Sequence, residues 1–435
     1  MTDQELARRV LAAIDEESVV GLALALGGID SAAGHEAEVA AFVHGWMDRE
    51  GMSPRTVALV PERPNVVGRI PGTGGGCSIL FNSHLDTSVA TDEWLSTSHA
   101  AERVYHDAWR EGDLLHGNGV CNDKGQMACW LIAAKAIRDT AGPLLGDIVL
   151  TSVCGEIELE PVDEFRAPDY SSREFGTRYV ISRGAIADYA VVAEATDFRL
   201  GYVEAGNLFL KLTVHGQEPP LYNPFVERAG GGPSPNAIVR LAEVVGKLEP
   251  WALEYEKRNT WDGPGGTVVP KVNVGAIRGG LPYKISKTAE TAVAYLDVRL
   301  NPEQDPLDVL AELRDFVCGT GVVFELEIYT YRPGRQASGV ELLNAAIAKS
   351  HREIFGAELE RAKSTTTSLW RDINSFVESG IPCVMYGPGP NIGSGNFTIK
   401  VADLVAAARA YALIALSICS TPRSARRNTA GVRLA

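Results

Sequence analysis

The 435-residue sequence has no basic stripe, no close pair of cysteines, no histidine beyond His351, and no run of the roughly 20 apolar residues that a membrane span needs. Each absence excludes something. The formal net charge is −14, so a polyanion-binding surface is not expected, and nucleic acid and anionic membranes are excluded as partners. The seven cysteines (77, 121, 129, 154, 318, 383 and 419) are scattered and odd in number, which argues against a disulfide framework and against zinc-finger spacing. They read as buried thiols of a reducing compartment. Met1-Thr2-Asp3-Gln4-Glu5 offers neither the basic nor the apolar region of a secretory signal, so a cytoplasmic location is expected. The glycine-rich run Gly72 to Gly76 lacks the lysine and the strand–loop–helix order of a phosphate loop.

What is present is ample apolar material, 45% of residues, on a chain longer than one core usually covers. The first fifty residues read as two amphipathic helices around Gly27-Gly28. Strand-like runs follow at 65–70, 78–82 and 147–154, with helical periodicity over 126–138. Strands alternating with helices indicate an α/β sheet. The texture changes near residue 206. Leu208 to His215 alternates, Ser234 is placed to cap a helix over 235–247, and strands near 272–277 and 291–300 precede a helix over 306–317. This is the order of an α+β insert. The α/β pattern resumes with a helix over 340–355, a strand at 382–386 and a helix over 401–418. The expected organisation is therefore a discontinuous catalytic α/β domain (1–205 and 335–420), an inserted domain (206–334) and a fraying tail (421–435).

Four polar residues follow apolar strands or open helices in ways that suit chemistry. His84-Leu85-Asp86 directly follows the strand 78–82, and a carboxylate two residues from a histidine can accept its second ring N–H. Asp123 opens the helix at 126, where an N-cap is the plain alternative. Glu156 follows the strand 147–154 and is otherwise a loop glutamate. Glu194 ends Val191-Val192-Ala193. Together they form a constellation of metal-ligand and acid–base types.

These residues, in this order, resemble the co-catalytic zinc exopeptidases and deacylases, a family that includes acetylornithine deacetylase, succinyl-diaminopimelate desuccinylase, aminoacylase and carboxypeptidase G. The likeness spans nearly the whole chain. It includes Arg63-Pro64-Asn65-Val66-Val67, Pro235-Asn236-Ala237-Ile238, Gly279-Gly280, Asp297-Val298-Arg299, and Gly380-Ile381-Pro382 before Gly387-Pro388-Gly389. It implies a three-layer zinc-peptidase-like catalytic domain with an inserted α+β lid and dimerisation domain, and a homodimer formed through that insert. It also implies roles. His84 and Glu194 are ligands of one metal, with Asp86 orienting the histidine. Asp123 is the aspartate that bridges two metals, its bond to Lys124 being one that is often cis. Glu156 is the general base.

Three departures from the family pattern bear on chemistry. Ile157 stands where an acidic ligand of the other metal is expected, and Glu158 is the nearest substitute. Gly393 stands where that metal's histidine is expected. The stretch Gln217-Glu218-Pro219-Pro220 lacks the oxyanion-stabilising histidine of most relatives, and the alternation of its strand gives no reason for His215 to point inward. Both lost ligands belong to one metal, so a single-metal site is expected, with His84, Asp123 and Glu194 holding one divalent ion (Zn, Mn, Fe or Co). His99, His106 and His116 are candidate replacement ligands. Arg371, Asn374, Tyr283 and Lys284 are candidates to clamp a substrate carboxylate.

The expected function is metal-dependent hydrolysis of a C–N bond in a small carboxylate-bearing molecule. The missing oxyanion donor points to a non-peptide substrate, as in the branch resembling 5-nitroanthranilate aminohydrolase, where an aromatic amine is deaminated. The alternatives are a two-metal N-acyl-amino-acid deacylase or exopeptidase, and a non-catalytic binding protein on the same scaffold. The retained Glu156 argues against the last.

Overall fold

The computed structural model describes residues 2–87, 102–157, 159–166, 170–226, 233–389 and 397–425. The chain divides into two compact units. The first comprises 1–202, 336–366 and 371–435, and the second 203–335 and 367–370.

The first unit is built on a six-stranded sheet. Its strands are β1 (Arg55–Ala58), β2 (Pro64–Ile70), β3 (Ile79–His84), β4 (Ile148–Val153), β5 (Tyr189–Val192) and β10 (Cys383–Met385), in the spatial order β1-β2-β4-β3-β5-β10. β4, β3, β5 and β10 run parallel, while β2 lies antiparallel to β4 and β1 to β2. The parallel strands are short and apolar because helices cover both faces. Their alternating residues show this directly. Ile79, Phe81, Ile148, Leu150, Tyr189 and Val191 enter one core, and Leu80, Val149, Ala190 and Val192 enter another. The result is three layers, helix on sheet on helix.

The larger core holds α1 (Asp3–Ala12), α2 (Glu16–Gly27), α3 (Ala37–Arg49), α4 (Gly125–Ala141), α8 (Glu341–Phe355) and α10 (Val401–Cys419). The first fifty residues thus form three helices rather than two. Asp15 caps α2 by accepting from Ser18 N, which divides α1 from α2. The opposite core holds α5 (Thr177–Ser182) and α9 (Ile373–Glu378). Contrary to expectation, one segment is long and apolar enough to cross a membrane by length and composition. It is α10, whose Leu404, Ala408, Tyr411, Ile414 and Ile418 are buried where it packs on α4, α8 and α2. Fraying does not begin at 421 either. Thr421 O accepts from Cys77 N, and Arg423 pairs with the buried Asp188.

The second unit is a four-stranded antiparallel sheet under two helices. The strands are β6 (Gly206–His215), β7 (Val272–Gly279), β8 (Thr291–Leu300) and β9 (Val323–Arg332), in the order β7-β8-β6-β9. Leu208, Leu210, Leu212 and Val214 alternate with Ala292, Ala294, Leu296 and Val298 to face α6 (Ala237–Asn259) and α7 (Pro306–Cys318). The cap of α6 is Asn236, whose side chain accepts from Ile238 N. The expected cap, Ser234, instead accepts from Asn236 N.

Candidate metal centre

Strand order brings the polar residues together. β3 lies between β4 and β5, with His84 opposite Val153 and Asn82 opposite Val192. The segments leaving the carboxyl ends of these three strands therefore converge, the usual place for a site in an open α/β sheet. His84 is the last residue of β3. Glu156 lies just past β4, after a turn at Gly155 with φ of +69°. A Cβ at Gly155 would stand 2.4 Å from Ser172 O, so that turn needs glycine. Glu194 lies just past β5. Ligand-type atoms of His84, Glu156 and Glu194 all lie within 4.8 Å of one another. His84 Nε2 is 3.9 Å from Glu156 Oε2 and 4.0 Å from Glu194 Oε1.

Asp123 is fully buried beside this group but is not one of the tight three. It enters from the irregular turn before α4, whereas Glu156 leaves the strand next to that of His84. The cis bond here is Asn122–Asp123, the one before Asp123 rather than the expected bond to Lys124. Asp123 does not cap α4. Among the described residues, neither of its buried oxygens has a hydrogen-bond partner, and nor has His84 Nε2. The Ser83 hydroxyl approaches Asp123 and favours its charged form without completing a bond of normal geometry. Buried, unpartnered carboxylate oxygens facing an unpartnered imidazole nitrogen are costly without a cation. The donor set, imidazole with carboxylates, fits a divalent transition metal.

Asp86 works differently from expectation. His84 Nδ1 meets the backbone carbonyl of Asp86 at 2.8 Å, while the Asp86 carboxylate stays 3.7 Å away. That carboxylate accepts from Glu156 N at 3.1 Å and from Ile157 N at 2.7 Å. Asp86 thus fixes the histidine through its main chain and ties the Glu156 segment through its side chain.

The charges follow from this packing. Burial opposes protonation of His84, but Asp86, Glu156, Asp123 and Glu194 together overcome it and push the imidazole up to about 10. Asp86 is raised to about 6 by burial, against the pull of His84. Burial, then Glu194, raises Asp123 well above the usual carboxylate range. Burial also raises Glu194, against the attraction of Arg371. Glu156 goes the other way. Burial raises it, but Arg173 and His84 outweigh burial and hold it below the ordinary value.

The other predicted residues have the following surroundings. Arg371 is buried with its Nε 3.5 Å from Glu194 Oε2 and its Nη1 on Thr366 O, which places it at the centre. Asn374 is buried at the start of α9. Tyr283 and Lys284 are exposed on a short turn of the second unit. His106 pairs with Asp30, and His116 stacks on Trp109; neither belongs to the group formed by His84, Glu156 and Glu194. His215 pairs with Glu325 on the second unit's sheet. His99, Glu158 and Gly393 lie outside the described residues.

Two site residues escape sequence reasoning. Arg173 Nη1 donates to Glu156 Oε1 at 2.7 Å, both side chains nearly buried. Nothing local marks it, because it lies in irregular chain 17 residues on. Asp372, adjacent to Arg371, accepts from Asn82 Nδ2 at 3.0 Å, and burial, then Glu156, raises it to about 7. A charged pair at the start of an apolar helix was the only available signal for it.

Comparison with known proteins agrees with this geometry. The chain is 26% identical over 416 residues to N-formyl-4-amino-5-aminomethyl-2-methylpyrimidine deformylase of Bacillus subtilis, covering 88% of this chain and 89% of that protein. Its fold matches the dipeptidase Dug1p of Saccharomyces cerevisiae with a TM-score of 0.69 at 12% identity, covering 97% and 100% of the two chains. It also matches a dinuclear metal-binding peptidase of the M20 family from Bacillus subtilis with a TM-score of 0.59 at 14% identity, covering 93% and 99%. Residues 80–417 match the model of peptidase family M20/M25/M40, so the chain belongs to that family and is a metal-dependent hydrolase acting on C–N bonds.

Proposed function

We propose that the chain hydrolyses a C–N bond of a small, non-peptide molecule, an N-acyl or N-formyl amine, at a centre holding one divalent ion on His84, Asp123 and Glu194. The observation that carries this reading is the contrast between two buried carboxylates. Both Asp123 oxygens lack a hydrogen-bond partner among the described residues, whereas Glu156 is paired with Arg173. Asp123 therefore suits a ligand, and Glu156 suits the base.

A divalent ion held there supplies Lewis acidity, lowering the pKa of water and polarising the scissile group. The rest falls to the chain. Arg173 keeps Glu156 ionised at rest, ready to accept a proton from the attacking water. Asp86 holds the Glu156 backbone in register with His84. Protonated Glu156 then returns the proton to the leaving nitrogen, which departs as a neutral amine.

The deformylase relatives act on a formyl group of an aminopyrimidine by their names, which supports a substrate that is neither peptide nor amino acid. The second reading, hydrolytic deamination of an aromatic amine, rests on the absence of histidine from 217–220. A homodimer through the inserted unit draws support from β7, an edge strand that carries the exposed Ile277. Seven free cysteines, six of them buried, support a reducing, cytoplasmic setting.

The test is a substrate screen on the metal-loaded and chelated protein, with N-formyl and N-acyl aromatic amines, free aromatic amines, N-acyl amino acids and dipeptides. Metal-dependent release of formate or another acid from the first group is expected. Ammonia release from free aromatic amines establishes the second reading instead. Turnover confined to dipeptides or N-acyl amino acids refutes both, and no turnover of any kind favours a binding protein.

A further inference from the structure

We propose that Arg173 and Arg371 are fixed cations of the centre that take the electrostatic place of a second divalent ion. The inference rests on the single-metal reading above and gives it a physical cause.

Each arginine pairs with a metal-facing carboxylate. Arg173 reaches Glu156 at 2.7 Å, and Arg371 reaches Glu194 at 3.5 Å. Their side chains are 4% and 7% exposed, so water does little to screen them. Arg371 also acts on Glu156, and Arg173 on Glu194, so the two cations share both carboxylates.

The two arginines stand among several buried carboxylates. Among the described residues, the buried carboxylates in mutual contact or electrostatic range include Asp86, Asp123, Glu156, Glu194 and Asp372. Among the described residues, the buried arginines facing them are Arg173 and Arg371. Lys124, anchored on Ile29 O and Ser31 Oγ, is lowered to about 7 by burial, against Asp30 and then Asp86, so it is no fixed charge of the centre. The neighbouring buried pair Glu36–Arg63 cancels itself. The two guanidiniums, each beside a strand-end carboxylate, together carry the charge of one divalent ion. The similar peptidase of Bacillus subtilis is described as dinuclear. In this chain the backbone N–H of Ile157 donates to the Asp86 carboxylate, and an isoleucine side chain offers no ligand atom.

A merely structural role for the arginines predicts that removing one loosens the centre and weakens metal binding. A stand-in cation predicts the reverse, because an arginine near the ion repels it. The experiment titrates Zn²⁺ and Mn²⁺ into metal-free full-length protein by calorimetry, with metal content after dialysis as the count. Wild type is expected to hold one equivalent. Arg173→Gln is expected to bind either ion at least tenfold more tightly, and Arg173→Lys, which keeps the charge, to stay within a few-fold of wild type. Unchanged or weaker binding by folded Arg173→Gln overturns the inference and leaves the single-metal reading intact. Two tightly held equivalents on wild type overturn both. If Arg173→Gln does not fold, Arg371→Gln carries the same expectation. Failure of both to fold even with Zn²⁺ or Mn²⁺ present also counts against the proposal, since a divalent ion should offset the lost charge.

Discussion

Arg173 donates to Glu156 across 2.7 Å in a pocket where 4% and 8% of the two side-chain surfaces are exposed. A general base is thereby held ionised by a neighbour that also weakens it. Replacing Glu156 by Gln keeps the shape and removes the base. Turnover is expected to fall by about 100- to 10,000-fold, while metal content after dialysis stays at the wild-type value. Retained turnover removes Glu156 from the proton transfer.

Metal binding is expected to release protons. In the metal-free protein His84 is pushed up to about 10, so it is protonated at neutral pH and must lose that proton to ligate. Asp123, raised by burial, adds to the release where it is still protonated. Apparent affinity therefore climbs with pH and levels off once pH passes about 10. Calorimetry in buffers of different ionisation enthalpy reads the proton count directly. Affinity independent of pH between 6 and 9 contradicts the assignment of His84 as ligand.

Gly155→Ala tests the turn that aims Glu156. Its φ of +69° and the 2.4 Å approach of Ser172 O leave no room for a side chain. The variant is expected to lose more than about 1 kcal/mol of stability in a urea titration. It should also lose more activity than Gly184→Ala, where φ is +90° but nothing lies within 4 Å. Equal effects at the two positions mean that strain, rather than displacement of Glu156, is what Gly155 prevents.

The proposed homodimer makes a separate prediction. Ile277, on the edge strand β7, is 54% exposed. Sedimentation should show a dimer, and Ile277→Lys should shift it toward monomer, because a charge in the middle of an interface is poorly tolerated. A wild-type monomer at micromolar concentration refutes pairing through this edge.

Much of the fold was legible in sequence because local periodicity carries it. The apolar runs at 79–84, 148–153 and 189–192 are continuous, since both sheet faces are covered, and β6 alternates along most of its length. Errors fell where a side chain, rather than a pattern, decides a boundary. Asp15 divides two helices, and Asn236 takes the cap expected of Ser234.

His84, Glu156 and Glu194 were visible for the same reason as the fold. Each follows an apolar strand, and parallel strands align their carboxyl ends. What the sequence alone determined is therefore the family, the layered architecture and the residue types at the strand ends. Tertiary structure alone decided which charges meet. Arg173 lies in irregular chain and Arg371 precedes α9, yet each closes on a different strand-end carboxylate. The same contacts assigned Asp86 to the Glu156 backbone and left Asp123 without a described partner. Electrostatic partnership depends on distance in space, and no local period records it.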